Sequence, residues 1–460
     1  MRFLITTLQT YESEFYGAVA RELERRGHSV THVTESRRSA RELRDQGADA
    51  RCLLDVAAEI GEPASLDAEV RRIEETYPIP NLRDVYRNDW PLAGRSEEHA
   101  VRRTVAHFRA LERIFDEVQP DVALPEVGNE TIRIAAHLIA NARGIPALFM
   151  LHTIFPNPVR VYVDTLHAPI APVDELRELT PEEHAEVEAF RASFTQAATP
   201  IREHRRVPVE ARRVKLFAEH VRRKLTDDRN NDYLQPGRLL RQNAADWTRA
   251  HLARPFYARL DARRQYVYFP LHVIDDYKIQ RVIPHCADQA ALVEQVADAL
   301  PQGHDLVLKE HPMSVGRNSI GLLRRLSKRP NVRLVEPHAS THELIRGAEA
   351  VVVISSTVGL EALLYEKPVL TLGEPYYSGF GVTVDARSLA EIPERVSEVL
   401  AFRPDPERIE QFLGLCLRSC YPGHPVLVDR SEANALTVAD TFERTATAAT
   451  LRRPVETSVG

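Results

Sequence analysis

Cysteine is scarce, with four in 460 residues, and tryptophan is scarcer still at two. Cys52, Cys286, Cys416 and Cys420 make no CxxC pair and no zinc-ligand spacing, which excludes a cysteine-built metal site and a disulfide scaffold. Cys416 and Cys420 stand i,i+4 on an expected helix and read as buried thiols of a reducing compartment. There is no excess of positive charge. Sixty Lys+Arg face 66 Asp+Glu for a formal charge of −6, which argues against a dedicated nucleic-acid binder. No apolar run approaches the roughly 18 residues of a membrane-spanning helix. Met1 to Leu8 turns polar too early for a secretory leader. The expected location is therefore the cytoplasm. What the chain does have is 43% hydrophobic residues, enough for real cores. Its length suits two or three domains at about 150 residues each.

The first part, residues 1–170, alternates strand and helix patterns. Strands are expected at Phe3 to Leu8, Ser29 to Thr34, Asp121 to Leu124 and Ile145 to Leu151. Helices fall at Glu12 to Arg26, Glu97 to Val118 and Glu130 to Arg143. Gly27, Gly47 and Gly144 stand where helix C-termini need a left-handed residue. Residues 171–258 are charged and helical in period, an insertion or connection. The βα pattern restarts over 259–403, with strands at Tyr266 to Phe269, Asp305 to Lys309, Val332 to Val335, Ala350 to Ile354 and Pro368 to Leu372. Residues 404–460 read as C-terminal helices with a frayed tail from about Thr445. Repeated βα units imply two Rossmann-like, doubly wound parallel-sheet domains whose strand carboxyl ends face a shared central cleft.

Three segments carry candidate chemistry. The strand Asp305 to Lys309 runs into Glu310-His311-Pro312, where proline ends the pairing and leaves His311 at the cleft. A histidine there can donate to a phosphate oxygen and stabilise charge on a leaving group, or bond to backbone. Lys309, two residues earlier, is expected on the same face. The second segment, Ser355-Ser356-Thr357-Val358-Gly359-Leu360-Glu361, turns a strand directly into a helix. Its free amides, hydroxyls and positive helix end suit an anion. Gly359 permits close backbone approach. Thr357 as N-cap would make Leu360 the third helical residue, leaving Glu361 outside a capping box and able to meet a ribose or base. The third segment, Gly373 to Gly381, is a glycine and aromatic loop that either closes over a base or sugar through Tyr377 or makes a surface turn.

The run Tyr266 to His272, the Lys309 to Pro312 segment, Ser355 to Leu364, Lys367-Pro368-Val369 and Gly373 to Tyr377 occur in that order. Together they resemble the capsule polysaccharide biosynthesis family, whose members are similar to β-Kdo transferases. The resemblance covers roughly residues 264–385. It implies a GT-B-like α/β fold and metal-independent transfer from a nucleotide sugar, with no cofactor. It also implies that His311, Pro312, Ser355, Ser356 and Thr357 hold the donor phosphate, with CMP as the leading nucleotide. Val273 to Tyr277, directly after His272, follows no family pattern.

In the first domain, Glu126 stands just past a strand end, where a carboxylate can take the proton of an acceptor hydroxyl. Glu130 and His152 are the competing residues there, and His272 and Tyr377 are further cleft candidates. The basic stretch Ile201 to Leu225 carries Val214, Phe217, Val221 and Leu225 at helical spacing. It either lies on an anionic membrane, at the inner face of the cell membrane, or packs its apolar stripe on a domain. The expected activity is transfer of sugar to a surface or capsular glycan or glycolipid acceptor, without nucleic acid. A sugar-nucleotide 2-epimerase, a CDP-alcohol phosphotransferase and a catalytically silent assembly partner are the alternatives. A panel of nucleotide sugars separates them by acceptor dependence.

Overall fold

The computed structural model describes residues 1–197, 209–226, 231–260 and 264–452. The first sheet holds β1 (Arg2–Thr7), β2 (Ser29–Thr34), β3 (Asp49–Cys52) and β4 (Val122–Leu124), all parallel, in the order β3-β2-β1-β4. β5 (Leu148–His152) and β6 (Val159–Val163) differ from the expected parallel continuation. They form an antiparallel hairpin that touches β4 through one parallel bridge, Ala123 to Ala147. The second sheet is wholly parallel and contains β7 (Tyr266–Pro270), β8 (Asp305–Lys309), β9 (Val332–Val335), β10 (Ala350–Val353), β11 (Val369–Thr371) and β12 (Val384–Asp385). Its order is β12-β11-β10-β7-β8-β9.

Valine- and leucine-rich strands such as β8 and β10 are buried on both faces because helices cover both. Gly27, Gly47 and Gly144 adopt positive φ directly behind helices, as their spacing predicts. Two apolar clusters flank each sheet. The helix Pro181–Ala197 joins the second domain's core through Val187 and Phe194. The helix Pro236–Ala253 bridges the halves. Gln242 accepts a bond from the Trp90 indole at 3.1 Å, and Arg249 donates to Gly316 O at 2.6 Å. The last helix, Glu432–Arg452, returns to the first domain, where Phe442 stacks on Tyr16 and Arg26 pairs with Asp440 and Glu443. The fraying expected from about Thr445 is corrected over residues 445–452, which continue this helix with Thr445, Ala446 and Ala449 buried; residues 453–460 lie outside the described residues. No helix among the described residues is long and apolar enough to cross a membrane.

Candidate active site

β10, β7 and β8 are neighbours, so their carboxyl ends present Ser355, His272 and His311 side by side. Gln289 grips the His272 backbone, accepting its N–H at 2.8 Å and donating to its carbonyl at 3.3 Å. The His272 Nε2 accepts the Ser355 N–H at 3.1 Å, which leaves the ring proton on Nδ1. Burial, and then the nearby charges of Lys278 and His311, push His272 down to about 3, so the ring is neutral. His311 caps the one-turn helix Pro312–Ser314, and its Nδ1 accepts the Met313 N–H at 3.2 Å. The proton therefore sits on Nε2. The backbone-bonded alternative holds at Nδ1.

The helix Thr357–Leu364 is capped by Ser356, whose hydroxyl accepts the Val358 N–H at 3.2 Å. This corrects the expectation of a Thr357 cap. Ser356 is the residue with extended backbone, and Thr357 is already helical. Glu361 still falls outside the capping box.

The aromatic loop after β11 is also corrected. Tyr377 is fully buried, and its hydroxyl donates to Ser356 O at 2.5 Å. A Cβ on Gly359 would stand 2.1 Å from that hydroxyl, so Gly359 makes room for Tyr377 rather than for a ligand. Gly359→Ala is expected to lower stability by about 1–3 kcal/mol through overpacking. Urea denaturation checks it, and an unchanged midpoint would remove this role.

Lys309 ends β8, and its side chain is taken up by protein partners. The Lys309 side chain is 7% exposed and donates to Ala339 O at 2.9 Å and to the Thr341 hydroxyl at 2.5 Å. Burial depresses its pKa, and Glu361 opposes that shift, which puts Glu361 within electrostatic reach of this ammonium.

In the first domain, Glu126 follows Pro125, whose carbonyl accepts the Thr6 hydroxyl at 2.6 Å. Glu126 has φ 62°, a left-handed backbone that turns the chain sharply after β4. Its Oε2 accepts the Val127 N–H at 3.2 Å. Burial raises its pKa to about 7, with Arg133 opposing and Glu12 adding to the rise. Arg133 donates to Glu12 at 2.9 Å and to Val127 O at 2.5 Å, and stands 3.4 Å from Glu130. Glu130 is thus drawn to Arg133, and burial raises its pKa as well. His152 shares its strand face with Leu148 and Met150, which pack in the cluster containing the last helix. That is the face opposite Phe149 and Leu151.

The loops that follow β4 and β7 are joined by a hydrogen bond. Asn129 Nδ2, from the Glu126 to Glu130 loop, donates at 3.0 Å to Asp275 O, three residues after His272. Arg281 donates to Val85 O at 2.7 Å, and Arg317 pairs with Asp275. The Val273 to Tyr277 segment that follows no family pattern is therefore a domain joint. Sequence reasoning missed Lys278 beside His272 and gave His272 only a minor place. The available signal was an apolar strand running into His272, the same arrangement as β8 into His311. No group of three or more His, Cys, Asp or Glu is placed to hold a metal ion among the described residues.

Two Rossmann-like parallel sheets with candidate site residues at their strand ends define an α/β protein. Residues 176–400 match the family model described as capsule polysaccharide biosynthesis protein, the same family the motifs resemble. Protein FixF of Sinorhizobium fredii is 32% identical over 193 residues, covering 41% of this chain and 45% of that protein. The capsule polysaccharide export protein KpsS of Escherichia coli is 34% identical over 121 residues, 25% of this chain and 30% of that one. The chain thus spans less than half the length of these curated relatives. Among solved structures, the beta Kdo 2,4 transferase KpsC of Thermosulfurimonas dismutans aligns with 64% of this chain and 79% of its own. That alignment has 17% identity and a TM-score of 0.38.

Proposed function

We propose that this chain is a glycosyltransferase that moves a sugar from a nucleotide-activated donor, with CMP the leading nucleotide, to a surface glycan or glycolipid acceptor. The observation that carries the reading is the Asn129–Asp275 contact, which joins the Glu126 loop to the loop leaving His272. On the donor side, His311 Nε2–H, the Ser356 and Thr357 hydroxyls and the helix-start amides receive the phosphate. Neutral His272 fixes the Ser355 turn, and Lys278 adds positive charge beside it. On the acceptor side, the attacking hydroxyl bonds to the anomeric carbon and gives its proton to Glu126. The bond from that carbon to the phosphate oxygen breaks, and its electron pair leaves with the nucleotide. Nitrogen and hydroxyl donors carry the phosphate charge in this scheme, so the reaction is proposed to need no metal.

The test is incubation with a panel of nucleotide sugars in the presence of a chelator. Nucleotide release that requires acceptor and survives chelation is the expected result. Donor interconversion without acceptor identifies an epimerase, and silence with every donor identifies an assembly partner. Loss restored by magnesium or manganese overturns metal independence.

Peripheral membrane contact is proposed for the helix Val209–Thr226. Ile201 to Pro208 lie outside the described residues, as do the side chains of Arg212 and Arg213. Within the helix, Val214 and Leu225 are 69% and 64% exposed, while Phe217 and Val221 are half-buried. Arg223 turns inward to the Ser36 hydroxyl at 3.4 Å. Exposed apolar tips beside Lys215 and Arg222 suit an anionic lipid surface. Sedimentation with anionic vesicles is expected and should fall on Lys215→Glu with Arg222→Glu. Undiminished binding by the reversed protein assigns the stripe to packing.

A further inference from the structure

Of the four buried arginines among the described residues, two are compensated by carboxylates. Arg103 meets Glu35 at 2.9 Å and Asp89 at 3.0 Å, and Arg133 meets Glu12 at 2.9 Å. Arg160, on β6, and Arg223, which reaches only the Ser36 hydroxyl, have no carboxylate partner among the described residues, and Arg160 is the one that lies at the domain joint. It is 4% exposed, and no carboxylate lies within ion-pair distance of it among the described residues. Its Nη1 donates to the Tyr162 hydroxyl at 2.7 Å. Its guanidinium carbon lies 4.0 Å from the Tyr376 ring centre and 4.8 Å from that of Tyr162. The buried Nε has no acceptor at all. Two phenols near it share this condition. The Tyr277 and Tyr376 hydroxyls are buried without partners, and the charge of Arg160 acts on both.

These groups come from three separate elements: β6 of the first domain, the domain joint after β7, and the loop after β11. Aromatic faces attract a cation but offer its N–H groups only weak acceptors. A buried cation left without a counter-charge is strongly unfavourable, as is each unpartnered polar group beside it. One occupant satisfies the whole set, because an oxyanion brings negative charge and acceptor lone pairs together. The Nε edge of a guanidinium offers parallel N–H bonds to such a group.

We propose that Arg160, with Tyr277 and Tyr376, forms an oxyanion-binding site at the domain joint that takes a carboxylate or phosphate of a ligand in the cleft. The ligand's identity rests on the transferase reading, whereas the preference for an anion rests on the surroundings of Arg160. In the transferase, the group is either a carboxylate on an acidic sugar or a phosphate of the nucleotide.

The experiment is calorimetric titration of the full chain and of Arg160→Met with four probes: N-acetylneuraminate, its methyl ester, CMP and inorganic phosphate. Wild-type binding of the acid over its ester, lost at least tenfold in Arg160→Met, assigns a carboxylate. The same loss for CMP or inorganic phosphate assigns a phosphate. Thermal melting without ligand gives an independent readout, and Arg160→Met should melt at or above the wild-type temperature because it removes an uncompensated charge. Where the methionine variant fails to fold, Arg160→Gln replaces it in the titrations. Equal affinities of wild type and variant for every probe overturn the proposal. So does a wild type that binds none of the four. Anion binding that depends on Arg160, in a protein without sugar-transfer activity, overturns the transferase reading and leaves the site standing.

Discussion

Glu126→Gln is expected to cut sugar transfer by about a hundred- to ten-thousandfold and to leave donor affinity at the wild-type value. Glutamine keeps the shape and the acceptor oxygen for the Val127 N–H but cannot take a proton. A carboxyl whose pKa is raised to about 7 is matched to proton abstraction near neutral pH. Transfer should therefore fall as pH drops below 7, about tenfold per unit where this one ionisation limits the rate. The same shift has a signature in stability that needs no substrate. An ordinary glutamate ionises near about 4.3, so the folded state here holds its proton more tightly than the unfolded chain. The stabilisation from that proton is complete below about 4.3 and is lost as pH rises through about 7. Glu126→Gln has no such loss. Its stability relative to wild type should grow across this window, by up to about 3 kcal/mol, and level off above it. Urea unfolding of both proteins at pH 4.5 and pH 8 measures the difference. A gap that does not change with pH would show that the fold does not hold this carboxyl protonated. Native transfer rates in the glutamine variant would move the base elsewhere. Glu130 is then the next residue to test, because it shares Arg133 with Glu126, and His152 is tested after it.

The distinction between what the sequence discloses and what it hides follows the range of each interaction. Apolar runs such as Ala350 to Ile354 and Asp305 to Lys309 are local signals, and both sheets form where those runs predict. The hairpin is different. Phe155-Pro156-Asn157-Pro158 reads as a break, and Val159–Val163 is interrupted by Arg160, so β6 is hidden and β5 looks like one more parallel strand. Its partner on β5 is set by a turn, not by hydrophobic period. Gly359 and Tyr377 each look like a ligand residue when read alone. Only the fold reveals that the hydroxyl of one occupies the space left by the other. His272 has the same character, since the backbone N–H it accepts lies 83 residues away. Proximity to a strand end is readable in a sequence; the partner a side chain finds there is not.

His311→Ala is expected to reduce turnover about a hundred- to thousandfold, which corresponds to about 2.7–4 kcal/mol of lost stabilisation of the departing phosphate. The contact strengthens as negative charge builds on the leaving oxygen, so donor affinity should weaken far less than turnover. Alanine also removes the acceptor for the Met313 N–H and could loosen the Pro312–Ser314 turn. His311→Asn separates the two effects. An asparagine oxygen can accept that same N–H, as it does at helix starts generally, but no group reaches the place of Nε2–H. If Nε2–H acts on the phosphate, both variants lose turnover alike. Recovery in the asparagine variant alone would make His311 a structural cap. Slow hydrolysis of the donor without acceptor distinguishes this residue from Glu126. Departure of the nucleotide is common to hydrolysis and transfer, so His311→Ala should suppress both. Deprotonation of the acceptor belongs to transfer, so Glu126→Gln should spare hydrolysis. The reverse pattern would exchange the two roles, and native turnover in both variants would place the chemistry outside this pair of strand ends.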